Sequence, residues 1–324
     1  MRLTTKIGSL VATVVLVSFF TFLLTQLIPG DPVVSVLGPA YNEQTVEGRA
    51  QIEVVREELG LNDSFPVRYF NWAKGVFTGD LGHKIGVNSA GISTTRLLRE
   101  RLPVTLEIMF LTQLVALLIA IPAGILSAHK EDRLLDKSVT GVSFAMLAMP
   151  TFVIALILVY IFSVKLGWFP SSGYTRLTEN LGENLRSMVI PVAALGAGLA
   201  AVYTRLLRAE MISTLKEDYI LMAKAKGISP RRVLLRHALR PSSFALLTIA
   251  GINIGALIGG AVIIEQFMAI PGVGSALVQA VAEREYQVIL SLVFVISMFY
   301  VVANFIVDML YSFLDPRIRR GGQR

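Results

Sequence analysis

Six stretches of the chain are long and predominantly apolar, and the polar residues fall between them instead of alternating with them. Each stretch reaches the length of about 20 residues that a helix needs to cross the hydrocarbon core of a bilayer. They cover roughly residues 7–28, 104–127, 139–164, 188–207, 244–267 and 288–310. The pattern predicts an all-α, polytopic membrane protein with six transmembrane helices, because a membrane β-barrel shows short alternating segments instead.

Composition supports this class and narrows the chemistry. Only 16% of the residues are charged and 54% are hydrophobic, whereas soluble domains carry about 25% charged residues. The chain has no cysteine, which excludes disulfides, a thiolate metal site and a cysteine nucleophile. Its three histidines, His83, His129 and His237, lie in different loops or helix ends. We therefore expect neither a metal site nor a catalytic site, and no cofactor in this chain.

The first apolar stretch has two interpretations, a signal peptide or a retained helix. It is longer than 20 residues, and Pro29-Gly30-Asp31-Pro32 follows it without a small-residue cleavage site. Signal peptides have a shorter apolar region that ends at such a site. A retained first helix is the better prediction.

The distribution of basic residues predicts the orientation. With the N-terminus in the cytosol and six crossings, 18 of the 30 Lys and Arg residues fall on the cytosolic side. Lys and Arg excess marks cytosolic loops, so the sequence predicts a multi-pass membrane protein with both termini in the cytosol. Because the membrane orientation already explains why these loops are basic, their charge is no evidence for a nucleic-acid partner.

Three domains are predicted. Residues 1–101 hold the first helix and a long polar loop, which is too long for a connector and predicts a small extracytoplasmic lobe. An amphipathic helix is expected there near residues 45–59, with Ile52, Val55 and Leu59 on one side. Residues 102–313 form a five-helix core, and residues 314–324 form a cytosolic tail. The outer segment 271–286 opens with Pro-Gly-Val-Gly, which predicts a turn.

A string of three glycines lies in the fifth apolar stretch. Gly251, Gly255 and Gly259 recur every four residues, and small residues at this spacing let helix backbones approach closely. The string fits packing within this chain and fits contact with a second membrane subunit equally well.

A basic segment interrupts the apolar pattern at residues 221–241, with six Lys or Arg and no acid. A short helix is predicted at residues 217–226, with Gly227 just past its end. Ser229 and Pro230 predict the N-cap and first turn of a second helix over residues 231–239, and Pro241 separates it from the next membrane helix. Such a pair lies either on the membrane surface or in a cleft of a soluble partner.

The chain carries no energy source that its sequence reveals. A G-x-x-x-x-G-K-[ST] phosphate loop is absent, and such a loop marks many nucleotide-hydrolysing proteins. Only three acids lie inside predicted spans, Glu107, Glu265 and Asp308, all near helix ends. A proton-driven carrier is expected to bury a chain of acids. A transport protein that has a docking segment but no energy source of its own is expected to bind a separate ATPase.

The basic segment and several strings along the chain resemble one family, the permeases of type I ABC importers. Ala223-Lys-Ala-Lys-Gly227, Ile228-Ser-Pro-Arg-Arg-Val233 and Arg236-His-Ala-Leu-Arg240 resemble their cytosolic EAA loop. More narrowly, the chain is similar to the first permease of the dipeptide/oligopeptide/nickel branch. The further strings that carry the likeness are residues 21–32, Leu59-Gly-Leu61, Tyr69 with Trp72, Gly79-Asp-Leu-Gly82, residues 101–107, Pro150-Thr-Phe152, residues 166–174, Pro271-Gly-Val-Gly274, Asn304 with Asp308 and residues 314–319.

One departure from the family pattern concerns the loop's Glu-Ala-Ala. These residues would fall at Leu221, Met222 and Ala223, so only the last alanine is kept. The glycine at position 227 is in place. The departure bears on a role that needs an acid and leaves the docking assignment intact.

The resemblance implies a fold and a set of partners. The fold is the transmembrane domain of a type I ABC importer. The partners are a second homologous permease, two ABC ATPase subunits or one fused ATPase, and an extracytoplasmic binding protein, with ATP and Mg²⁺ bound on the ATPases. This chain would be no enzyme, and its cargo a di- or oligopeptide, with nickel or another metal chelate or glutathione as alternatives.

The resemblance also implies that a set of residues in the basic segment couples this chain to the ATPase. In this role Gly227 sets the bend, and the apolar side of residues 219–225 fills a cleft of the ATPase. The basic residues form ion pairs at the rim of that cleft. The set comprises Tyr219, Met222, Ala223, Lys224, Ala225, Gly227, Ser229, Pro230, Arg231 and Arg232. Glu265, Glu107 and Asn253 are candidates for the substrate path, although a hydrogen-bonding role within the protein is expected for Glu107. A stand-alone secondary carrier, which needs inverted repeats and buried charges, is the rival class.

Overall fold

The computed structural model describes residues 3–27, 33, 37, 45–58, 60–84 and 91–314. Nearly all of these residues are helical, and the extended pairing within them is a single antiparallel bridge between His83 and Ser93. The predicted all-α class is confirmed. We number the helices α1 to α11 along the chain.

The first helices are α1, α2 and α3, and they are followed by the long helix α4. Their bounds are Leu3–Gln26, Val46–Glu58, Phe65–Thr78 and Thr94–His129. Helix α5 spans Leu134–Ala148, and α6 spans Thr151–Leu158 and continues as a π-helical stretch to Lys165. The later helices are α7, α8, α9, α10 and α11, with bounds Leu181–Leu215, Asp218–Ala225, Pro230–Phe267, Val273–Glu283 and Tyr286–Leu314.

Among the described residues, five helices are long and apolar enough to cross a membrane, namely α1, α4, α7, α9 and α11. A sixth candidate is the pair α5 and α6, which meet at a bend of 107° and count as one span when taken together. The described residues thus hold five to six candidate spans, a range that includes the predicted six. The helices extend beyond the predicted apolar cores, since α4 begins at Thr94 and α7 ends at Leu215.

The third span is broken, although the sequence pattern predicts one continuous helix there. Met149 has φ −98° and ψ 130°, and Pro150 has φ −58° and ψ 141°. A proline ring clashes with the helical conformation of the residue before it and pushes that residue toward extended values. Helix α5 therefore ends before Pro150, and α6 begins directly after it.

Two further expectations about local structure are corrected. The predicted turn at residues 271–274 exists, but it opens the short helix α10, whose N-cap is Gly272. Pro241 was expected to separate two helices, yet α9 runs through it. The π-helical stretch Val233–Ala238 immediately precedes it, and a π-helical turn is one of the devices by which helices absorb such an interruption.

The chain divides into two compact units. Among the described residues, the first comprises those up to Val104 and Pro271–Val302, and the second comprises Thr105–Ile270 and residues 303–314. The predicted division into three domains, with boundaries after residues 101 and 313, stays a prediction. The predicted amphipathic helix of the lobe is α2, in which Val55 is buried and Ile52 half-buried.

Each unit has its own core. In the first unit an aromatic cluster joins α1 to α3, and its rings include Phe19, Phe22, Phe65, Tyr69 and Trp72. In the second unit, apolar side chains of α4, α7 and α9 pack around Tyr203, Leu207 and Met211, which are fully buried. Burial of this area supplies the main driving force for packing wherever water is the alternative environment.

Several sequence expectations lie outside the described residues. These are the exit of the first helix at residues 28–32, Leu59, and the tail from residue 315 onward. The side chain of Asp308 also lies outside them.

Candidate coupling site and substrate path

The basic segment, residues 216–241, begins with helix α8. Asp218 lies in its first turn and Lys224 in its last, and both charges are favourable against the helix dipole. At its end, the Gly227 N–H donates to the Lys224 carbonyl over 2.9 Å and the Ile228 N–H donates to the Ala223 carbonyl over 3.2 Å. This pair of bonds is a Schellman motif, which needs a left-handed residue after the helix. Gly227, with φ +75°, supplies it.

Nearly all of the residues assigned to coupling lie on the surface. Helix α8 buries Ile220 and Ala223 and exposes the opposite face. Ala223 is therefore a packing residue of the segment and lies beneath the exposed face. The exposed members of the predicted set are Tyr219, Met222, Lys224, Ala225, Gly227, Ser229, Pro230, Arg231 and Arg232.

An apolar patch stands out on this exposed face. Tyr219, Leu221 and Met222 are 45%, 54% and 59% exposed. The second predicted apolar side, on residues 233–238, turns inward instead, because Val233 and Ala238 are buried. The surface available to a partner is therefore the outer side of α8 together with the turn over residues 227–232.

One hydrogen bond closes the segment on itself. Proline has no N–H, so Pro241 leaves the carbonyl four residues before it, that of His237, without its helical donor. The Tyr219 hydroxyl donates to this carbonyl over 3.3 Å. The contact joins α8 to the start of α9. Burial, followed by the nearby carboxylate of Glu217, raises the pKa of the Tyr219 phenol, so the hydroxyl remains a donor at neutral pH.

The basic side chains of the segment are available for a partner. Within the part of the chain that the structure describes, Lys224, Lys226, Arg231 and Arg232 form no ion pair. The only acids close in sequence are Glu217 and Asp218, at the far end of α8. Exposed rim charges of this kind mainly steer and orient an acidic partner.

Glu107, a candidate for the substrate path, lies inside α4 and is engaged by two side chains. The Tyr174 hydroxyl donates to its Oε2 over 2.7 Å, and Asn184 Nδ2 donates to its Oε1 over 2.7 Å. Asn184 also donates to the Thr175 carbonyl over 2.9 Å. Glu107 thus connects α4, the loop over residues 166–180 and the start of α7. The hydrogen-bonding role expected for it fits these contacts.

Glu265 lies in the last turn of α9 and is fully buried. Thr105 donates its hydroxyl to Oε1 of Glu265 over 2.6 Å, and the Glu265 carbonyl accepts the Ile270 N–H over 2.8 Å. Its carboxylate joins α9 to α4 inside the second unit and is closed off from solvent.

Asn253, in the middle of α9, belongs to a small polar network between membrane helices. The Tyr203 hydroxyl donates to Gln113 Oε1 over 3.1 Å, and the Asn253 side chain lies near the same hydroxyl. Gln113 Nε2 donates to the Ala250 carbonyl over 3.3 Å. Asn253 and Gln113 are half-buried, so of the three candidates for the path Asn253 keeps a partly accessible amide.

Two members of the glycine string, the buried Gly251 and the exposed Gly259, have different surroundings. A Cβ on Gly251 would meet Val307 of α11, whereas a Cβ on Gly259 would have nothing within 4 Å. Gly251 therefore serves packing within this chain. Gly259 leaves an exposed small-residue surface on α9.

In the first unit, the long loop and the segment 271–286 build one lobe. Lys84 forms an ion pair with Glu283 at 3.0 Å, and the Ser291 hydroxyl donates to the Leu81 carbonyl over 2.6 Å. Gly82, at φ +79°, lies against the Gln287 side chain, where another residue would be strained and crowded. This position gives a physical reason for the last glycine of the Gly79-Asp-Leu-Gly82 string.

The lobe encloses an open cavity of about 690 Å³. Its wall is aromatic and aliphatic where Phe22, Trp72 and Leu290 line it, and its polar lining includes several charged groups. The charged and titratable residues among them are Glu57, Asp63, Arg68, Asp80 and His83. Concave sites with apolar walls and a few polar groups are the usual form of ligand-receiving surfaces.

No metal-binding group is assembled in the residues that the structure describes. Within those ranges, no group of three or more His, Cys, Asp and Glu side chains is placed to hold a metal ion. The arrangement instead offers an exposed basic and apolar docking face on one unit, hydrogen-bonded helix crossings behind it, and a receiving cavity on the other unit.

Sequence reasoning missed one buried cluster. Asp136 and Arg208 were both placed in loops, yet Asp136 is 3% exposed and the two side chains form an ion pair. A signal was present, since an acid at the beginning of one span and an arginine at the end of the next fall at the same membrane depth.

Comparison with protein families identifies the type of chain. Residues 120–320 match the model of the binding-protein-dependent transport system inner membrane component. Residues 2–109 match the model for the N-terminal part of such membrane components. The two matches together cover the first helix, the lobe and the core.

Similar sequences are found along the whole chain. The probable peptide ABC transporter permease protein y4tP of Sinorhizobium fredii is 34% identical over 97% of this chain and 97% of its own length. The oligopeptide transport system permease protein AppB of Bacillus subtilis is 36% identical over 93% of this chain and 94% of its own. A putative peptide transport system permease protein of Brucella abortus is 33% identical over 97% of each.

A solved structure supports the fold. A chain of the MetNI methionine ABC transporter in an inward-facing conformation aligns with a TM-score of 0.56 at 17% identity. The alignment covers 68% of this chain and 96% of that chain. The likeness concerns the fold, which is that of an ABC importer transmembrane domain.

Proposed function

Because the chain belongs to the family of binding-protein-dependent transport system inner membrane components, we propose that it is one of two permease subunits that form the pathway of an ABC importer for peptides. The relatives named for peptide and oligopeptide transport match it over nearly its full length. This chain supplies half of the pathway. ATP and Mg²⁺ bind on partner ATPase subunits, which perform the hydrolysis.

The observation that carries the proposal is the exposed face of α8. Tyr219 and Met222 present apolar surface there, Gly227 fixes the bend, and Arg231 and Arg232 are free to pair with acids. A short helix with an apolar side and charged flanks fits a cleft in a soluble partner. The same face lying on lipid is the competing explanation, since basic residues also favour lipid headgroups.

The proposed assembly places the basic segment in the cytosol. Both termini are then cytosolic, in agreement with the excess of Lys and Arg on that side. ATP binding closes the two ATPases, and residues 216–239 transmit this movement to α7 and α9. The lobe of the first unit faces the other side of the plasma membrane, where a binding protein delivers the peptide to its cavity.

A cysteine cross-link tests the docking step. Because the natural chain has no cysteine, Ser229→Cys introduces a single reactive thiol on the exposed turn. Ser171→Cys is the matched control, since Ser171 is equally exposed but lies in the loop after the third span. The tagged protein is cross-linked in its native host, purified gently and identified with its partners by mass spectrometry.

We expect Ser229→Cys to capture ABC ATPase subunits and Ser171→Cys to capture none. A second permease and a binding protein are expected to purify with both variants. The ligand that accompanies the binding protein then names the cargo, and a metal chelate or glutathione there would replace the peptide assignment. Cross-links from position 229 only to lipid would overturn the docking proposal and reinstate a stand-alone carrier.

A further inference from the structure

Four donors converge on one buried carboxylate in the second unit, that of Asp136. Arg208 donates from Nε and, over 2.6 Å, from Nη2, so the ion pair is bidentate. The Ser127 hydroxyl and, over 2.9 Å, the Asp132 N–H complete the set. Asp136 is 3% exposed and Ser127 is fully buried.

The cluster joins three helix ends. Ser127 lies in the last turn of α4, Asp136 in the first turn of α5, and Arg208 near the end of α7. Bidentate arginine–carboxylate contacts fix direction as well as distance, because both groups are planar. The three helices therefore hold one defined arrangement at this end of the unit.

Stability alone is a weak reason for such a pair. Removing two charges from water costs several kcal/mol each, and apolar residues of similar size often pack as well or better. An ordered, hydrogen-bonded pair instead specifies a unique geometry. That property matters most where a movement must pass from one helix to the next.

The pair lies directly behind the basic segment. Arg208 precedes the end of α7 at Leu215 by about 10 Å of helix, and α8 begins at Asp218. At the two ends of the segment, the hydroxyls of Thr214 and Ser242 lie 3.0 Å apart and join α7 to α9. Any displacement of the segment thus acts first on the end of α7.

We propose that Asp136 and Arg208 are a positioning pair that transmits movement of residues 216–239 from α7 to α5, the first half of the broken third span. The proposal rests on the proposed function, because it takes the segment to be the docking site of the ATPases. Neither residue contacts substrate or ATPase in this role.

The test measures hydrogen exchange in the purified complex of this chain with its partners, with and without ATP and vanadate. This readout needs no knowledge of the cargo. Asp136→Asn removes the carboxylate and leaves the half-buried Arg208 charge without its ion-pair partner, which is destabilising. The double variant Asp136→Leu/Arg208→Leu removes both charges and is the decisive variant. Glu131→Gln is the control, because it breaks the exposed pair of Glu131 with Lys216 at 3.3 Å.

In the natural protein and the control, nucleotide is expected to change exchange in residues 216–239 and in Leu134–Ala148. In the double variant the change in residues 216–239 persists, while the change in Leu134–Ala148 falls at least about twofold. An unchanged nucleotide effect on both segments would overturn the proposal. A double variant that fails to assemble would also overturn it, since the pair would then serve folding.

The two proposals fail in different ways. If nucleotide leaves residues 216–239 unaffected in the natural protein, the docking assignment fails. If nucleotide does change exchange in residues 216–239, and the double variant shows the same nucleotide effect in Leu134–Ala148 as the natural protein, only the positioning role of the pair fails.

Discussion

Gly251 lies against Val307 so closely that a Cβ on the glycine would stand 2.5 Å from Cγ1 of the valine. Helices α9 and α11 therefore meet at this point with their backbones near contact. Close approach through small residues is a common way for membrane helices to associate, because lipid offers little hydrophobic driving force between them.

Replacing this glycine should loosen the crossing. Gly251→Ala forces Val307 or one helix to move, and overpacking of this kind costs about 1–3 kcal/mol. The measurement is the midpoint of thermal unfolding of the purified protein in detergent. Gly259→Ala is the control, since nothing lies within 4 Å of its Cβ. Equal midpoints for the two variants would contradict the packing role of Gly251.

Gly227 is constrained by its backbone alone. Its φ is +75°, and a Cβ there would meet nothing within 4 Å. Gly227→Val is expected to cost about 1–3 kcal/mol of backbone strain, which is relieved by altering the turn between α8 and α9. The protein should still insert and assemble, while ATP hydrolysis proceeds with reduced uptake.

Gly227→Asn separates the backbone effect from side-chain bulk, because asparagine tolerates the left-handed conformation. Its ratio of uptake to ATP hydrolysis, measured in reconstituted vesicles, should stay near that of the natural protein. Normal uptake by Gly227→Val would refute the role of the bend.

The contact of Tyr174 with Glu107 should stabilise the second unit. Tyr174→Phe removes a hydrogen bond to a carboxylate, an interaction that contributes about 1.5–3 kcal/mol. The unfolding midpoint in detergent is expected to fall. Tyr160→Phe is the matched control, since the Tyr160 side chain is 54% exposed. A fall of the same size in the control would contradict this assignment.

The same contact predicts a titration. Burial, and then the hydrogen bond to Glu107, raise the pKa of Tyr174 from 10.0 to about 12. Because the folded state holds the proton more tightly, its stabilisation is complete below pH 10 and is lost as the pH rises through about 12. The difference in tyrosinate absorbance between the natural protein and Tyr174→Phe should show this late midpoint. A midpoint at 10 would contradict it.

Glu265 is expected to act in packing. Glu265→Gln keeps an oxygen that accepts the Thr105 hydroxyl, so uptake and unfolding midpoint should change little. Glu265→Leu removes the hydrogen bond between the Thr105 hydroxyl and a carboxylate, and a hydrogen bond to a charged group contributes about 1.5–3 kcal/mol. Uptake and unfolding are measured on both variants. Loss of uptake in Glu265→Gln with an unchanged midpoint would instead assign the carboxylate to the substrate path.

The number of spans was predictable because a span must be apolar over most of its length, and the chain keeps this rule everywhere. The break in the third span was harder to predict from the sequence. Pro150 was visible there, but proline bends some membrane helices and ends others. The outcome depends on whether Met149 keeps helical angles, and its neighbours decide that. Helix α10 was missed because its 11 residues are short for periodicity to be distinctive.

The candidate site divides in the same way. The turn at Gly227 follows from local chemistry, and the structure has it as predicted. Ala223 was expected on the face of α8 that contacts the ATPase, but it is buried. Whether α8 buries Ala223 or Met222 depends on its packing against α7 and α9, which the local sequence does not show. The side-chain partners of Glu107 lie 67 and 77 residues away in sequence, and Arg208 lies 72 residues from Asp136. Contacts at that separation leave no local pattern, and only the shared membrane depth of Asp136 and Arg208 pointed to theirs.

The 107° bend between α5 and α6 decides how many times the chain passes through the bilayer. Helix α5 has 15 residues and is about 22 Å long at 1.5 Å per residue, which is shorter than a hydrocarbon core of about 30 Å. Neither half reaches across alone, so the pair counts as one passage at most, and a return to the same side as a re-entrant loop would leave five passages. An odd total would put the termini on opposite sides and reverse half of the basic loops. The predicted orientation, with both termini and the strongly basic loops in one compartment, therefore requires that the bent pair count as one passage, which makes the total even.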